Sequence, residues 1–316
     1  MALELRHLRY LLAVAEHANF TRAAEALHIS QPTLSQQVKQ LERALKVQLL
    51  DRSGRSVRLT DAGEAYAAYA RRALQDLAAG ERAVLDVGDL SRGTLRVAMT
   101  PTFTTYLAGP LVADFCARHP GISLDVREMT QARIEAELLD DRLDLGIGFE
   151  GEHTAGVAAT ALFEEALGLV VGVDHPCAEL DVVPLKSLAA HRLALLSGDF
   201  ATRRHVDAYF EGQGVRPGIA VEANSLSVLV EVVGRGGLAT VLPAPIAADD
   251  DRLRRVPVEP ALPVRTAALL RRESAYRSAA ARAFEERLVE WVRESGYAAT
   301  GVRDGGAAAP GVRAGA

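Results

Sequence analysis

The residues best placed for chemistry near the start of the chain share one face of a helix. At about 100° per residue, Pro32, Ser35, Gln36, Lys39 and Arg43 fall opposite an apolar stripe of Leu34, Val38, Leu41 and Leu45. That face carries no carboxylate. Hydroxyl and amide side chains read base edges, an apolar Pro contacts a thymine methyl, and Lys or Arg reaches phosphate. Taken alone, such a face is equally readable as an ordinary solvated surface. Downstream, Arg52, Arg55 and Arg58 surround a Ser-Gly turn between two short strand-like pieces. Arg55, at the turn, is the best DNA candidate of the three, and Arg52 has Asp51 beside it as an alternative partner.

A second group of chemically useful residues sits where strands give way to helices. Thr100, Pro101, Thr102 and Phe103 follow the strand-like Thr94–Met99, and Gly148 and Phe149 end another strand. Ser197, Phe200 and Thr202 occupy a corresponding turn later in the chain, and Asn224 another. Hydroxyls and unpaired N–H groups at such turns suit a small anion. Each hydroxyl is equally readable as a plain helix cap. The pairing of Thr100 and Thr102 with Ser197 and Thr202 favours a pocket.

Enzyme chemistry finds little support. The eight histidines are scattered, without His-x-x-x-His spacing. There is no Gly-x-Ser-x-Gly elbow and no phosphate-loop Gly-Lys-Ser/Thr. Gly234–Gly237 reads as the end of a helix. Cys116 and Cys177 form no Cys-x-x-Cys pair, so they read as free thiols, and neither a metal nor another cofactor is expected.

The elements that must position these residues follow from periodicity. Leu5, Leu8, Leu12 and Ala15 mark a first helix. Thr21 is expected to cap a short second helix over Arg22–Leu27, and Ser30 a third, giving a helix-turn-helix with a wing. Thr60 caps a long helix whose Tyr66, Ala70, Ala73, Leu77, Gly80, Val84 and Val87 form a narrow seam. A seam that narrow suits a partner helix, since a helix-turn-helix monomer reads half a site. From about Arg92 strands and helices alternate, implying parallel sheets with helices outside. One such helix is expected near Tyr106–His119.

The charge follows the same division. The net charge of −5 is the sum of +4 over the first 60 residues, with nine Lys/Arg and five Asp/Glu, and −9 over the rest. A basic head on an acidic body is compatible with DNA binding by the head alone. No apolar run reaches the roughly 18 residues of a membrane span, and no signal peptide precedes the head, so a cytoplasmic protein without membrane contact is expected.

Phe20–Glu42 and Leu50–Glu64 resemble the DNA-binding signature of LysR-type transcriptional regulators, and the resemblance extends over the whole chain apart from the tail. It implies that Gln31, Pro32, Thr33, Ser35 and the wing arginine meet a double-stranded operator, with Thr21 on the same side. Thr33 lies off the polar face, so its place rests on the resemblance. It further implies an α plus α/β fold: a winged helix-turn-helix over 1–59, a linker and dimerisation helix over 60–91, and a two-lobed effector domain over 92–295. That domain would be similar to periplasmic binding proteins, with lobe I about 92–163 and 266–295 and lobe II about 164–265. The tail, 296–316, is rich in Gly and Ala and expected to be disordered. Homodimers pairing into homotetramers and contact with RNA polymerase are implied too. Within the family, Thr100–Thr104, Gly109–Leu111, Phe200–Arg203, Glu222–Ser225 and Leu269–Arg272 resemble activators of cyanate-degradation operons. That implies cyanate as co-inducer, held by hydroxyls and helix dipoles without a buried cation. Another small-molecule effector is the alternative. The alternative of a different class is a small-molecule-binding protein or enzyme with a fused helix-turn-helix.

Overall fold

The computed structural model describes residues 3–54, 56–85, 92–248 and 250–297. The chain forms two compact units, residues 1–87 and 88–316. Arg55, Val87 and the tail beyond Tyr297 lie outside the described residues. No helix among the described residues is long and apolar enough to cross a membrane.

In the first unit, α1 (Leu5–His17), α2 (Phe20–Ala26) and α3 (Gln31–Leu45) close around Leu11, Val14, Ala23, Leu34, Val38 and Leu41. The second helix starts earlier than the sequence implies. Asn19, not Thr21, is its cap: Asn19 Oδ1 accepts from the N–H groups of Thr21 (2.8 Å) and Arg22 (3.1 Å). Both residue types cap well, and the helix begins at the residue that lets Phe20 join the core. Ser30 caps α3 by accepting from Thr33 N–H at 3.2 Å, and Pro32 sits in the first turn, where no internal donor is needed. The wing is an antiparallel pair, β1 (Leu50–Asp51) with β2 (Arg58–Leu59).

The long helix α4 (Asp61–Leu85) packs along α1. Thr60 caps it through Gly63 N–H (3.0 Å) and also donates its hydroxyl to Gln48 O (2.7 Å). Gly63 is required there, because a Cβ would lie 2.0 Å from Leu49 O. The seam divides in two. Tyr66 and Ala70 pack into their own unit, whereas Ala73, Leu77 and Val84 are exposed, Val84 by 74 %.

The second unit holds two lobes. In chain order its elements are β3 (Gly93–Met99), α5 (Pro101–Phe103), a π turn (Thr104–Ala108), α6 (Gly109–Arg118), β4 (Ile122–Glu128), α7 (Gln131–Leu139), β5 (Leu145–Phe149) and β6 (Val157–Gly172). They continue as β7 (Val183–Pro184), a 3-10 turn (Leu185–Ala190), β8 (Arg192–Leu196), α8 (Ala201–Gly212), β9 (Gly218–Ala223), α9 (Leu226–Gly234), β10 (Ala239–Pro243) and α10 (Ala244–Ala248). Last come β11 (Leu253–Val256), β12 (Val258–Glu259), β13 (Val264–Arg272) and α11 (Ala279–Glu294). The helical run after β3 begins directly at Pro101 rather than near Tyr106, which brings Thr102 into its first turn.

One sheet path, β4-β3-β5-β13-β6-β10-β8-β9, runs through both lobes. The 16-residue β6 joins them: Val157–Ala166 pairs with β13, and Leu167–Gly172 with β10 and β11. The chain returns along β13, where Arg265 stands opposite Glu165. An apolar cluster including Phe103, Phe115, Phe163, Leu196 and Phe284 continues from one lobe into the other. The tail contributes more than its composition implies, because Tyr297 stacks on Phe163 with ring centroids 4.5 Å apart.

Candidate nucleic-acid interface and interlobe pocket

On α3 the stripe residues Leu34, Val38 and Leu41 are buried and Leu45 partly so, while Gln31, Pro32, Thr33, Gln36, Lys39 and Arg43 are exposed and Ser35 half-buried. Thr21 is exposed at the start of α2. The Thr33 hydroxyl lies 2.7 Å from that of Ser30, so it belongs to the helix cap region. Arg58 is exposed on β2. Arg52 does not pair with Asp51. Its guanidinium donates to Glu42 at 2.8 Å and lies over the Phe20 ring, 5.2 Å from its centroid. Asp51 instead accepts from the N–H and hydroxyl of Ser53, which hold its carboxyl below the usual range.

Glu42 is the organiser that the sequence pattern left unassigned. One carboxylate oxygen accepts from the N–H groups of Leu49 (3.0 Å) and Leu50 (3.1 Å), and the other from Arg52. It therefore ties the first wing strand to the recognition-type helix. Its signal in the sequence is only an acid beside Arg43 and off the polar face, which reads as solvated.

In the second unit, Thr100, Pro101, Thr102, Thr130, Gln131, Phe149, Phe200, Ala201 and Thr202 enclose a pocket between the lobes. Its volume is about 10 Å³, room for roughly one water and far below the roughly 300–1,000 Å³ of drug-sized sites. Thr100 ends β3, and its backbone carbonyl, not its hydroxyl, caps the following helix. That hydroxyl is buried with no partner. Thr202 is not a cap either, since α8 starts from Phe200 without a side-chain cap bond.

Four of the residues expected here lie elsewhere. Phe103 is 0 % exposed and packs on Phe149 at 4.9 Å, because the early helix start turns it into the core. Gly148 makes room for Gln131: a Cβ would stand 3.0 Å from Gln131 Oε1. Gln131 then bonds both the N–H (3.0 Å) and the carbonyl (3.1 Å) of Phe149 and holds that ring at the pocket. Ser197 opens the turn that Phe200 and Thr202 close, and Asn224 follows the outer strand β9; neither lines the space. The Ser197 hydroxyl is buried without a partner, and Asn224 is exposed beside the α9 cap Ser225.

A buried cation is present, contrary to the sequence reading. Arg265 is 4 % and Glu165 1 % exposed. Arg265 donates through Nε to Glu165 (2.5 Å), through Nη1 to Thr202 Oγ1 (2.7 Å) and through Nη2 to Thr102 Oγ1 (3.4 Å). Its guanidinium centre is 3.8 Å from the Phe149 ring centroid, a desolvated cation–π contact. Tyr106 donates its hydroxyl to the other oxygen of Glu165 at 2.5 Å. Burial, and then the neighbouring Glu165 charge, push the Tyr106 phenol far above its ordinary value, so it stays a neutral donor. Burial pulls the guanidinium downward from its ordinary value, while Glu165 opposes that shift. The cause of the cluster is register: both crossing strands place one charge at the crossing, and each lobe supplies a threonine. The arrangement offers threonine hydroxyls to a very small polar or anionic molecule, two of them polarised by the guanidinium that donates to them. It offers no nucleophile–base pair.

Basic helix-turn-helix and two-lobed pocket together define a ligand-responsive DNA-binding protein rather than an enzyme. Residues 5–64 match the bacterial regulatory helix-turn-helix of the LysR family, and residues 88–293 match the LysR substrate binding domain. The chain belongs to the LysR family of transcriptional regulators. A hydrogen peroxide-inducible genes activator from Pectobacterium carotovorum is 30 % identical over 273 residues, covering 85 % of this chain and 90 % of its own. A full-length cysteine-to-aspartate variant of OxyR from Pseudomonas aeruginosa superposes with a TM-score of 0.69 at 28 % identity, over 93 % of this chain and 95 % of that one. Full-length CbnR bound to its target DNA gives 0.55 at 26 % identity, over 91 % and 99 %. Regulators of this family bind DNA and small-molecule effectors and act as oligomers.

Proposed function

We propose that this regulator reads its operator with α3 and the wing, and that a small anion in the interlobe pocket controls it as an activator. Gln31, Pro32, Ser35 and Gln36 would face base edges. Lys39, Arg43 and Arg58 would meet phosphate, with Thr21 and Thr33 as backbone contacts. Arg52, held by Glu42, would set the wing rather than lead recognition. The open C-terminal half of the α4 seam would take a partner helix, and pairs of dimers would then present two heads to an interrupted repeat beside RNA polymerase.

The observation that carries the effector reading is the pocket that Thr100, Thr102 and Thr202 line between the two lobes, the last two with their hydroxyls held by the Arg265 guanidinium. A bound anion would accept from groups of both lobes and draw them together, which biases a hinge equilibrium. Cyanate, the ligand of the CynR-type regulators that the body segments resemble, is linear, three-atomed and singly charged. Among anions it would need little widening of a pocket that has room for roughly one water. A cysteine-based peroxide response finds no reagent here, since neither Cys116 nor Cys177 lines the pocket. Calorimetric titration of the full chain with cyanate tests the reading, with chloride and nitrate as controls. Saturable heat that Thr202→Val and Thr100→Val remove, with DNA binding intact, is expected. Absence of saturable heat at millimolar cyanate overturns cyanate, and loss of DNA binding along with it would show the threonines to be structural.

A further inference from the structure

We propose that His175, Cys177 and His191 form a site for a thiophilic d10 metal ion, Zn²⁺ or Cu⁺, in the second lobe. One ligand atom from each of the three lies within 4.8 Å of the others. Cys177 Sγ is 3.5 Å from His191 Nε2, and the two imidazole rings have centroids 5.5 Å apart. The site shares no residue with the interlobe pocket.

The backbone fixes all three ligands. His175 N–H donates to Gly172 O (3.0 Å) and Ala178 N–H to His175 O (2.8 Å), a turn leaving β6. His191 follows the 3-10 turn over Leu185–Ala190, with its N–H on Leu188 O at 3.1 Å, immediately before β8. Cys177 is 1 % exposed and belongs to the apolar cluster of Leu169, Val183, Leu188 and Leu193. That cluster excludes competing donors from one side. Two imidazoles and a thiol, with no carboxylate among them, form a donor set for zinc or cuprous copper and a poor one for Mg²⁺ or Ca²⁺. Metal–ligand bonds of about 2.0–2.3 Å require the three atoms to draw in by about 1 Å, a shift within reach of side-chain rotation.

The protons balance simply. The thiol releases its proton to solvent as the sulfur–metal bond forms, and each imidazole gives one lone pair. His175 Nδ1 accepts the Cys177 N–H at 3.1 Å. The ring binds either through that lone pair or through Nε2 after its proton moves to Nδ1, and on both routes the Cys177 N–H is released from Nδ1. The occupied site would fasten the exit of β6 to the start of β8, two segments that are 14 residues apart at Cys177 and His191.

The test uses the reduced, metal-stripped full-length chain. Co²⁺ is titrated as an optical probe, and then displaced by Zn²⁺; Cu⁺ is tested in parallel against a cuprous chelator. One equivalent of Co²⁺ with a thiolate-to-metal absorption band is expected, retained in Cys116→Ser and weakened at least tenfold in Cys177→Ser and His191→Gln. Whichever of Zn²⁺ and Cu⁺ competes more tightly identifies the ion. No thiolate band, or unchanged affinity in His191→Gln, overturns the proposal. His191 is only partly buried, so its variant decides the matter if Cys177→Ser fails to fold.

Discussion

Replacing Arg265 by Met would leave Glu165, 1 % exposed, as an unpaired charge between the two lobes. Tyr106 would remain as its one hydrogen-bond donor among those described. The side chain lost also carries the bond to Thr202 and the cation–π contact with Phe149. Breaking one half of a buried ion pair destabilises by about 3–5 kcal/mol. At about 2–4 °C per kcal/mol for a unit of this size, the melting temperature should fall by about 6–20 °C. Replacing both partners, Glu165→Gln with Arg265→Met, removes the stranded charge. Exchange of a buried pair for neutral groups is often close to neutral, so the double variant should recover most of the loss. Calorimetric melting of the four proteins of this cycle measures the coupling directly. Equal losses in single and double variants, or an Arg265→Met loss under about 1 kcal/mol, would refute the buried pair as the keystone of the crossing.

Four further outcomes are expected. Gln31→Ala and Ser35→Ala should each lose up to about 1–3 kcal/mol of discrimination at one base position. Lys39→Ala should weaken all sequences alike and lower the salt slope by about 0.9, read by fluorescence anisotropy across a salt series. Gly63→Ala, whose Cβ would meet Leu49 O at 2.0 Å, should destabilise the head by about 1–3 kcal/mol or more in urea unfolding, while Gly80→Ala, with open space around it, should not. Burial raises the Glu135 carboxyl, but hydrogen bonds from His153 and Thr154 outweigh it and leave the group below its ordinary 4.5. A depressed carboxylate adds stability above the unfolded value, and this is lost as pH falls through the folded one. Glu135→Gln should therefore flatten the acid limb of the stability curve below about pH 4.5, and an unchanged limb would count against the network.

The head was legible because its signals are local. Leu34, Val38 and Leu41 repeat at helical spacing, Ser30 precedes them, and the polar face follows from geometry within fifteen residues. Ambiguity arose where two good caps stood together, as at Asn19 and Thr21. In the body, Thr100, Thr102 and Thr202 were visible because strand-to-helix turns gather at one edge of a parallel sheet. All such turns look alike in sequence, however, and nothing local tells Thr202 at the end of its turn, which faces the pocket, from Ser197 at the start of the same turn or Asn224 after the outer strand, which do not. Arg265 was hidden for a stronger reason. Its partner Glu165 is 100 residues away, and the pairing depends on a strand register that no local pattern encodes. The same holds for Cys177 and His191, whose proximity depends on how the second lobe folds.

The most direct test of the account is a footprint of the full-length protein on the DNA upstream of its own gene, with and without cyanate, against an excess of unrelated duplex. The account predicts protection of an interrupted inverted repeat that survives the competitor, with a protected length that changes when ligand binds and does not change in Thr202→Val. Protection that the unrelated duplex abolishes would contradict it.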